Sequence, residues 1–588
     1  MIVLDGGSLS LEDLARIARD PGVRVECSQE ALERVRASRE PIERLAAKYR
    51  EDFEKLARGE EARPVLEYGV TTGFGEFKNI PVAPDELEQL QKNLLLSHAA
   101  GAGATADPEN PASYYEPDVI RAVLAIRLNA FLKGHSGVRP ELVETLRALL
   151  NRGIVPRVPI HGSVGSSGDL CPLAHLSVVL LGEGSWFVVR GPGDLAHGPR
   201  EIRRGMEQLR EDLGMAPAEP SYKEALALIN GTTFSAALLA LAAWDAESAA
   251  RIADTACALS LEAVCGCARA FDARVHEARG HAGQIASAAA FRELLRGSRL
   301  IEAAGAVQDV YSLRCAPTVH GAARDTVAYA RRVAEIEINA AVDNPLFFPA
   351  DETPPWDLEF RANWPEGYRG DQRTGYSAGN FHGEPVGMAA DFLAIGVAEL
   401  ANISERRIQM LLDSRQSRNL PGNLIPCRGV NSGWMLAQYT AASLVSENKV
   451  LTHPASVDSI PTSANSEDHN AMSTIAARKL RTVLRNVQAV LAIELLVAAQ
   501  AVEWRVAMEI DPRGPSNQAS SDWEQSRREA EEFAERTRPE RRPQIAEKLG
   551  EGTRRAYLQV RELAPPMLTD RTLDGDIRAV RAGIEGGF

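Results

Sequence analysis

A mostly α fold, built as a long central helical bundle with a smaller mixed α/β N-terminal region, is what this sequence predicts. Three observations carry it. Apolar residues recur at helical spacing over long stretches, some of those stretches are apolar on most sides, and strand-like runs are few and short. In order along the chain, MIVL (1–4) and SWFVVRG (185–191) read as strands. Between them, PDVIRAVLAIRLNAFLKG (117–134) sets Ile120, Val123, Leu124, Leu128, Phe131 and Leu132 in one stripe, and Gly134 ends the helix. The periodicity returns at 223–268, 322–340, 384–413, 435–452 and 474–508. Within the last of these, VQAVLAIELLVAAQAV (487–502) is apolar on most sides, so that helix belongs inside a bundle. The expected organisation is an N-terminal region (1–225), a central long-helix bundle (226–508) and a C-terminal helical region (509–588). Residues 349–376, rich in Pro, Gly and charge, read as a surface insertion. Residues 511–521 form a polar connector, and 523–549 a charged helical hairpin.

Composition narrows the function classes. The 588 residues are 45% hydrophobic and 25% charged, as in an ordinary soluble protein. With 66 basic and 80 acidic residues the net charge is −14, which disfavours nucleic acid and anionic membrane as partners because no basic excess exists to neutralise phosphates. Seven scattered cysteines argue against a disulfide framework and for a reducing cytoplasm; Cys265 and Cys267, in an apolar helical run, read as buried structural residues. No basic segment followed by an apolar stretch opens the chain, and no run of eighteen uninterrupted apolar residues occurs, so neither export nor a membrane span is expected.

The chemistry lies in polar clusters set among glycines and small residues, where burial of polar groups needs a reason. GSVGSSGDLCPLAH (162–175) spaces three glycines around Ser166 and Ser167. It is no phosphate loop, since Asp169 and Leu170 follow Gly168 where Lys and Ser/Thr are required; Gly162-Ser163-Val164 breaks the dinucleotide fingerprint. Neither serine has glycine at both −2 and +2, so the nucleophile elbow is missing too. Further clusters are YGVTTGFG (68–75) with Tyr68, NLLLSHAAG (93–101) with Ser97 and His98, and LINGTTF (228–234) with Asn230. VQDVYSLRC (307–315) spaces Gln308, Tyr311 and Arg314 three apart, on one face if helical. GNFHGEP (379–385) displays Phe381 and His382, and SANSEDHNAM (463–472) holds Glu467 and His469. Each alone reads as ordinary structure: a tight turn, a satisfied core histidine, an amphipathic tyrosine or a paired surface arginine. His382, His469 and Glu467 lack ligand spacing, so no metal is expected.

Taken jointly and in this order, with KEALALINGT, DNPLF and NSGWMLAQYTAASLVSENKVLTHPASVDSIPTSAN, these motifs resemble the aromatic amino-acid ammonia-lyases. The likeness is strongest to the histidine-specific members, from about residue 60 to 508 and again near 553–583. The resemblance implies an electrophile made from the chain itself, a methylidene-imidazolone formed from Ser166-Ser167-Gly168 with loss of two waters, and no external cofactor. In that scheme the Gly168 nitrogen attacks the Ser166 carbonyl, an approach that a Cβ at 168 would hinder, and Ser167 loses its hydroxyl. Asp169 matches the residue that assists cyclisation. Serine at 166 departs from the usual alanine, but it contributes only its carbonyl.

The implied reaction is elimination of ammonia from an aromatic L-amino acid to a trans-α,β-unsaturated acid, with histidine giving trans-urocanate. Catalytic roles fall on Tyr68, Ser166, Ser167, Gly168, Tyr311 and Glu467, and substrate contacts on His98, Asn230, Gln308, Arg314 and Phe381. Tyr68 acts as the base, which requires its pKa, ordinarily near 10, to be lowered by positive potential such as helix N-termini. Arg314 holds the substrate carboxylate with help from Asn230, and Phe381 packs on the ring. His98 and Glu467 suit both nitrogens of an imidazole. Thr233 and Ser466 stand where the histidine type usually has glutamine, which keeps tyrosine or phenylalanine elimination and 2,3-aminomutation open; a non-catalytic relative is the remaining alternative. The resemblance further implies a homotetramer with sites shared between subunits.

Overall fold

The computed structural model describes residues 1–197, 201–348, 360, 363, 375–514 and 522–585. Most of the expected 349–376 insertion therefore lies outside the described residues, as do positions 515–521 of the polar connector. Helices dominate, and the strands form three two-stranded sheets among the described residues. Both expected strands exist, each with a partner the sequence did not announce. Ile2–Leu4 pairs in parallel with Val25–Cys27, and Trp186–Val188 pairs antiparallel with Ile154–Pro156.

The chain divides into two compact units that interleave along the sequence, where three consecutive regions were expected. One comprises residues 1–241, 331–390 and 454–478, and the other 242–330, 391–453 and 479–588. Four of the five cuts fall inside long helices, Thr233–Ala263, Ala316–Glu337, Glu384–Leu412 and Ser473–Ala507, so no linker composition marks them; the fifth follows Met435–Leu451.

In the first unit, Pro117 opens the helix Pro117–Leu132, where its missing N–H costs nothing. The sequence predicts one apolar stripe, yet every residue from Val119 to Leu132 is buried. Arg121 tolerates this by donating to the carbonyls of Ile17 and Ala18, which cap off the neighbouring helix Leu11–Arg19. Asn129 bridges the Gly6 N–H and the Ile338 carbonyl.

In the second unit, the part of Ser473–Ala507 predicted to be interior is interior: Val490 to Arg505 are all buried. Its acidic residues are matched. Glu494 receives Arg407 on both oxygens at 2.5 and 2.7 Å, together with the hydroxyls of Ser260 and Ser404. Glu503 takes Arg561 and the Tyr557 hydroxyl. Buried carboxylates of this kind persist only when paired. Two helices, Glu384–Leu412 and Ser473–Ala507, have the length and composition to cross a membrane, but 61% and 83% of their most apolar windows are covered by protein. All seven cysteines are free, and burial pushes the thiols of Cys257, Cys265 and Cys267 up.

Candidate active site

The glycine–serine loop is held by one close backbone approach. Gly168, at φ +76°, pairs in parallel with Gly231, whose N–H donates to the Ser167 carbonyl at 3.0 Å while its own carbonyl accepts from Asp169 N at 2.8 Å. A Cβ on Gly168 would lie 2.1 Å from the Gly231 carbonyl carbon, so only glycine fits. Asp169 then starts the helix Leu170–Ser177 and turns its carboxylate into the interior. It accepts from Ser235 N at 2.8 Å, Ser235 Oγ at 3.0 Å, Ser163 Oγ at 3.1 Å and the Thr474 hydroxyl. Burial raises its pKa and these four donors oppose the rise.

Both loop serines converge on one carboxylate. Ser167 Oγ donates to Glu467 Oε1 at 2.7 Å, and Ser166 Oγ to Oε2 at 3.0 Å, an oxygen that also accepts from Thr462 Oγ1 at 2.6 Å. Glu467 reaches them because Ser463, Ala464 and Asn465 all take left-handed backbone, folding the segment back so that Thr462 and Glu467 pair.

These groups open onto a cavity of about 980 Å³ whose walls include Tyr68, Asn230, Phe381 and Glu467. Asn230 ends the helix Glu224–Ile229, and its Oδ1 is buried with no hydrogen-bond partner. The Tyr68 hydroxyl accepts from Gly75 N at 3.3 Å. The expected lowering of its pKa does not occur within this chain. Burial pushes the phenol up and the Glu467 carboxylate pushes the same way, while the Gly75 N–H alone opposes them. His98 ends the helix Leu87–His98 and shares a 3.0 Å contact with Ser97 Oγ. Burial lowers its pKa, against the Leu94 carbonyl and the field of Glu467. It does not line the cavity, although the charge of the wall residue Glu467 reaches it.

Gln308, Tyr311 and Arg314 are not brought to this cavity. Tyr311 is 71% exposed and Arg314 stacks on its ring, 4.5 Å from the centroid, while Asp309, next to Gln308, turns inward to the Cys267 N–H and Arg418. The structure also gathers groups that spacing does not disclose. His382, Glu384 and His469, all on the cavity wall, bring their potential ligand atoms within 4.8 Å of one another, a grouping that the sequence separation of His382 and His469 hides. Asn344 lines the wall as well, and Ser163, Ser235 and Thr474 hold Asp169; none of these was singled out from the sequence. Gly231 directly follows Asn230 in LINGTTF, and that adjacency is the sequence cue to its place at the loop.

Comparison with known proteins adds three findings. The family model described as aromatic amino acid lyase matches residues 9–528. A histidine ammonia-lyase of Caldanaerobacter subterraneus subsp. tengcongensis is 43% identical over 580 residues, covering 98% of this chain and 95% of the relative. Among solved structures, the histidine ammonia-lyase from Trypanosoma cruzi superposes with a TM-score of 0.76 at 35% identity, covering 100% of this chain and 93% of that one; a tyrosine aminomutase from Streptomyces globisporus gives 0.77 at 33%, covering 100% and 97%.

Proposed function

The chain belongs to the aromatic amino acid lyase family, and from that premise we propose that it eliminates ammonia from L-histidine to give trans-urocanate. The observation that carries this reading is the convergence of Ser166, Ser167, Tyr68, Asn230 and Glu467 on one cavity beside a glycine that no other residue replaces.

The residues present fit a methylidene-imidazolone. The Gly168 backbone has the freedom that ring closure requires, the Ser167 hydroxyl is held in place by its hydrogen bond to Glu467, and a buried acid, Asp169, stands behind the loop. Once formed from Ser166-Ser167-Gly168, that group supplies an electrophilic carbon to the substrate amine. The remaining work falls on the chain. Tyr68 removes the β-proton, and Asn230 orients the substrate carboxylate. Phe381 packs against the ring and excludes water. Glu467 and His98 hydrogen-bond the imidazole nitrogens, pairing that phenylalanine leaves unmade at a cost in discrimination. Because Tyr68 carries a raised pKa in the isolated chain, its activation draws on positive charge from elsewhere, and a guanidinium at the carboxylate end of the site supplies it. The exposure of Gln308 and Tyr311, with half-buried Arg314 stacked on the Tyr311 ring, supports their completing the cavity of another copy within a homotetramer, and the free cysteines support a cytoplasmic setting.

Incubation with L-histidine, L-tyrosine and L-phenylalanine, followed by ultraviolet absorbance and amino-acid analysis, tests the reading alongside the intact mass. Expected are a chain lighter by two waters and urocanate from histidine. A β-amino acid in the products would assign aminomutation instead, for which the likeness to the tyrosine aminomutase speaks. Full sequence mass with no ammonia released from any of the three would end the lyase reading.

A further inference from the structure

Lys223 is fully buried, takes a left-handed backbone at φ +70°, and donates from Nζ to Asp343 Oδ2 at 2.6 Å; the two side chains are 0% and 2% exposed. Such a pair is expensive, since both charges leave water and a lysine is held in a conformation better suited to glycine. An apolar contact of the same size would bind the two segments at lower cost. What the ion pair adds is a fixed length and direction between them.

Each partner sits at the root of a cavity wall. Lys223 starts the short helix Glu224–Ile229, which ends at Asn230 on the wall and runs directly into Gly231, the residue that brackets Ser167 and Gly168. Asp343 sits in the turn that faces it. The preceding Val342 carbonyl oxygen lies 2.5 Å from where a Cβ on Gly231 would stand, so this turn abuts the bracket itself. The following Asn344 lines the cavity and carries the next stretch of wall, donating to Ser377 Oγ at 3.1 Å and accepting from Ala378 N at 2.8 Å. Arg127 and Gln91 also hold the short helix, through the Ala227 carbonyl and the Ala225 N–H, but from the helices Pro117–Leu132 and Leu87–His98. The Lys223–Asp343 link is what joins the Asn230 wall to the Asn344 wall by side chains.

We propose that Lys223 and Asp343 are positioning residues for the reaction, fixing the Val342–Asn344 turn against Asn230 and Gly231 and so setting the width of the carboxylate-binding end of the cavity. The inference rests on the assignment of Asn230 to the substrate carboxylate.

Two variants test it. Lys223→Leu with Asp343→Leu removes both charges together and leaves none unpaired. Asp343→Glu keeps the pair and lengthens it by one methylene, which preserves folding if the double change does not. Kinetics are measured on the amino acid that the unaltered chain turns over best, with intact mass reporting electrophile formation. For each variant that retains the two-water deficit, KM is expected to rise about tenfold for the double change and about threefold for Asp343→Glu, while kcat falls less than about threefold, because ground-state and transition-state binding weaken together. A merely structural pair predicts lowered melting temperature with unchanged KM, and unchanged KM in Asp343→Glu overturns the proposal. Failure of the functional reading shows elsewhere, as an unaltered chain that releases no ammonia at all.

Discussion

Gly168 is constrained by what surrounds its backbone. Its φ of +76° is accessible to alanine only at a cost of about 1–2 kcal/mol, which a folded protein survives. The contact is the larger obstacle: an added methyl would stand 2.1 Å from both the carbonyl carbon and oxygen of Gly231. Gly231 is itself crowded on its other side, where the Val342 carbonyl oxygen lies 2.5 Å from the position a Cβ would take. A Gly168→Ala chain is therefore expected to melt at lower temperature and, through the shifted Ser167–Gly231 hydrogen bond, to lose the two-water deficit in its intact mass. A variant that keeps both the deficit and the parental melting temperature would show that the loop is not bracketed in this way. The same proximity explains Asp169. With its carboxylate fully buried and four donors spent on it, the acid is fixed behind the loop.

At the scale of elements, much was legible and the exceptions have physical causes. Helices announce themselves through spacing, so Glu384–Leu412, Met435–Leu451 and Ser473–Ala507 fall close to their expected bounds, whereas the expected run 223–268 breaks at Asn230 and the highly charged helix Gln29–Ala57 lies outside the expected runs. The helix Pro117–Leu132 exceeds its expected single apolar stripe: Arg121 and Asn129 are interior too, because backbone carbonyls from distant segments satisfy them. Tyr68, Ser166, Ser167, Asn230, Phe381 and Glu467 were named from motifs, and one cavity holds them. Their supports were hidden, because Thr474 is 305 residues from the Asp169 it contacts and Thr462 matters only through a local reversal of the backbone. Helix ends also hide titratable groups. Glu262, near the end of Thr233–Ala263, is buried and accepts from Gly550 N at 2.8 Å, at the start of Glu551–Leu563. Burial pushes its pKa up to about 7 from 4.5, opposed by the hydroxyls of Ser298 and Thr553 and the Gly550 N–H. Between those values the folded chain binds a proton that the unfolded chain has released, so stability falls as pH rises through that window, by about 3 kcal/mol in total. Glu262→Gln keeps an acceptor for Gly550 and cannot ionise. Its melting temperature relative to the parent is expected to climb between pH 4.5 and 7 and level off above; a difference that stays constant with pH would mean that Glu262 does not titrate there.

The whole molecule carries apolar surface that one copy leaves in water. Along Glu384–Leu412, Met388, Phe392 and Ile395 recur at helical spacing and are 55%, 47% and 46% exposed; Leu436 and Tyr439 on Met435–Leu451 are 58% and 62% exposed. Stripes of this kind on long helices suit a partner surface, and the proposed homotetramer would cover them with further copies in closed symmetry. In the Gln308–Arg314 segment, Gln308, Val310 and Tyr311 are exposed in the same way, while Asp309 is buried and anchors the segment through Cys267 and Arg418. Rigid presentation without a local target is what a residue set lent to another copy requires. If the lending is real, Tyr68→Phe and Arg314→Ala damage different copies' contributions to a shared site. Each variant alone is expected to be nearly inactive. In mixed oligomers formed by dissociation and reassembly at equal ratio, a cavity with intact Tyr68 meets a strip with intact Arg314 in about a quarter of sites, so activity should return to about that fraction of the parent. If Tyr68 and Arg314 instead act within one chain, every chain in the mixture carries one lesion and no ratio restores turnover. Mass spectrometry of the reassembled oligomers establishes that mixing has occurred, which makes an inactive mixture decisive against shared sites.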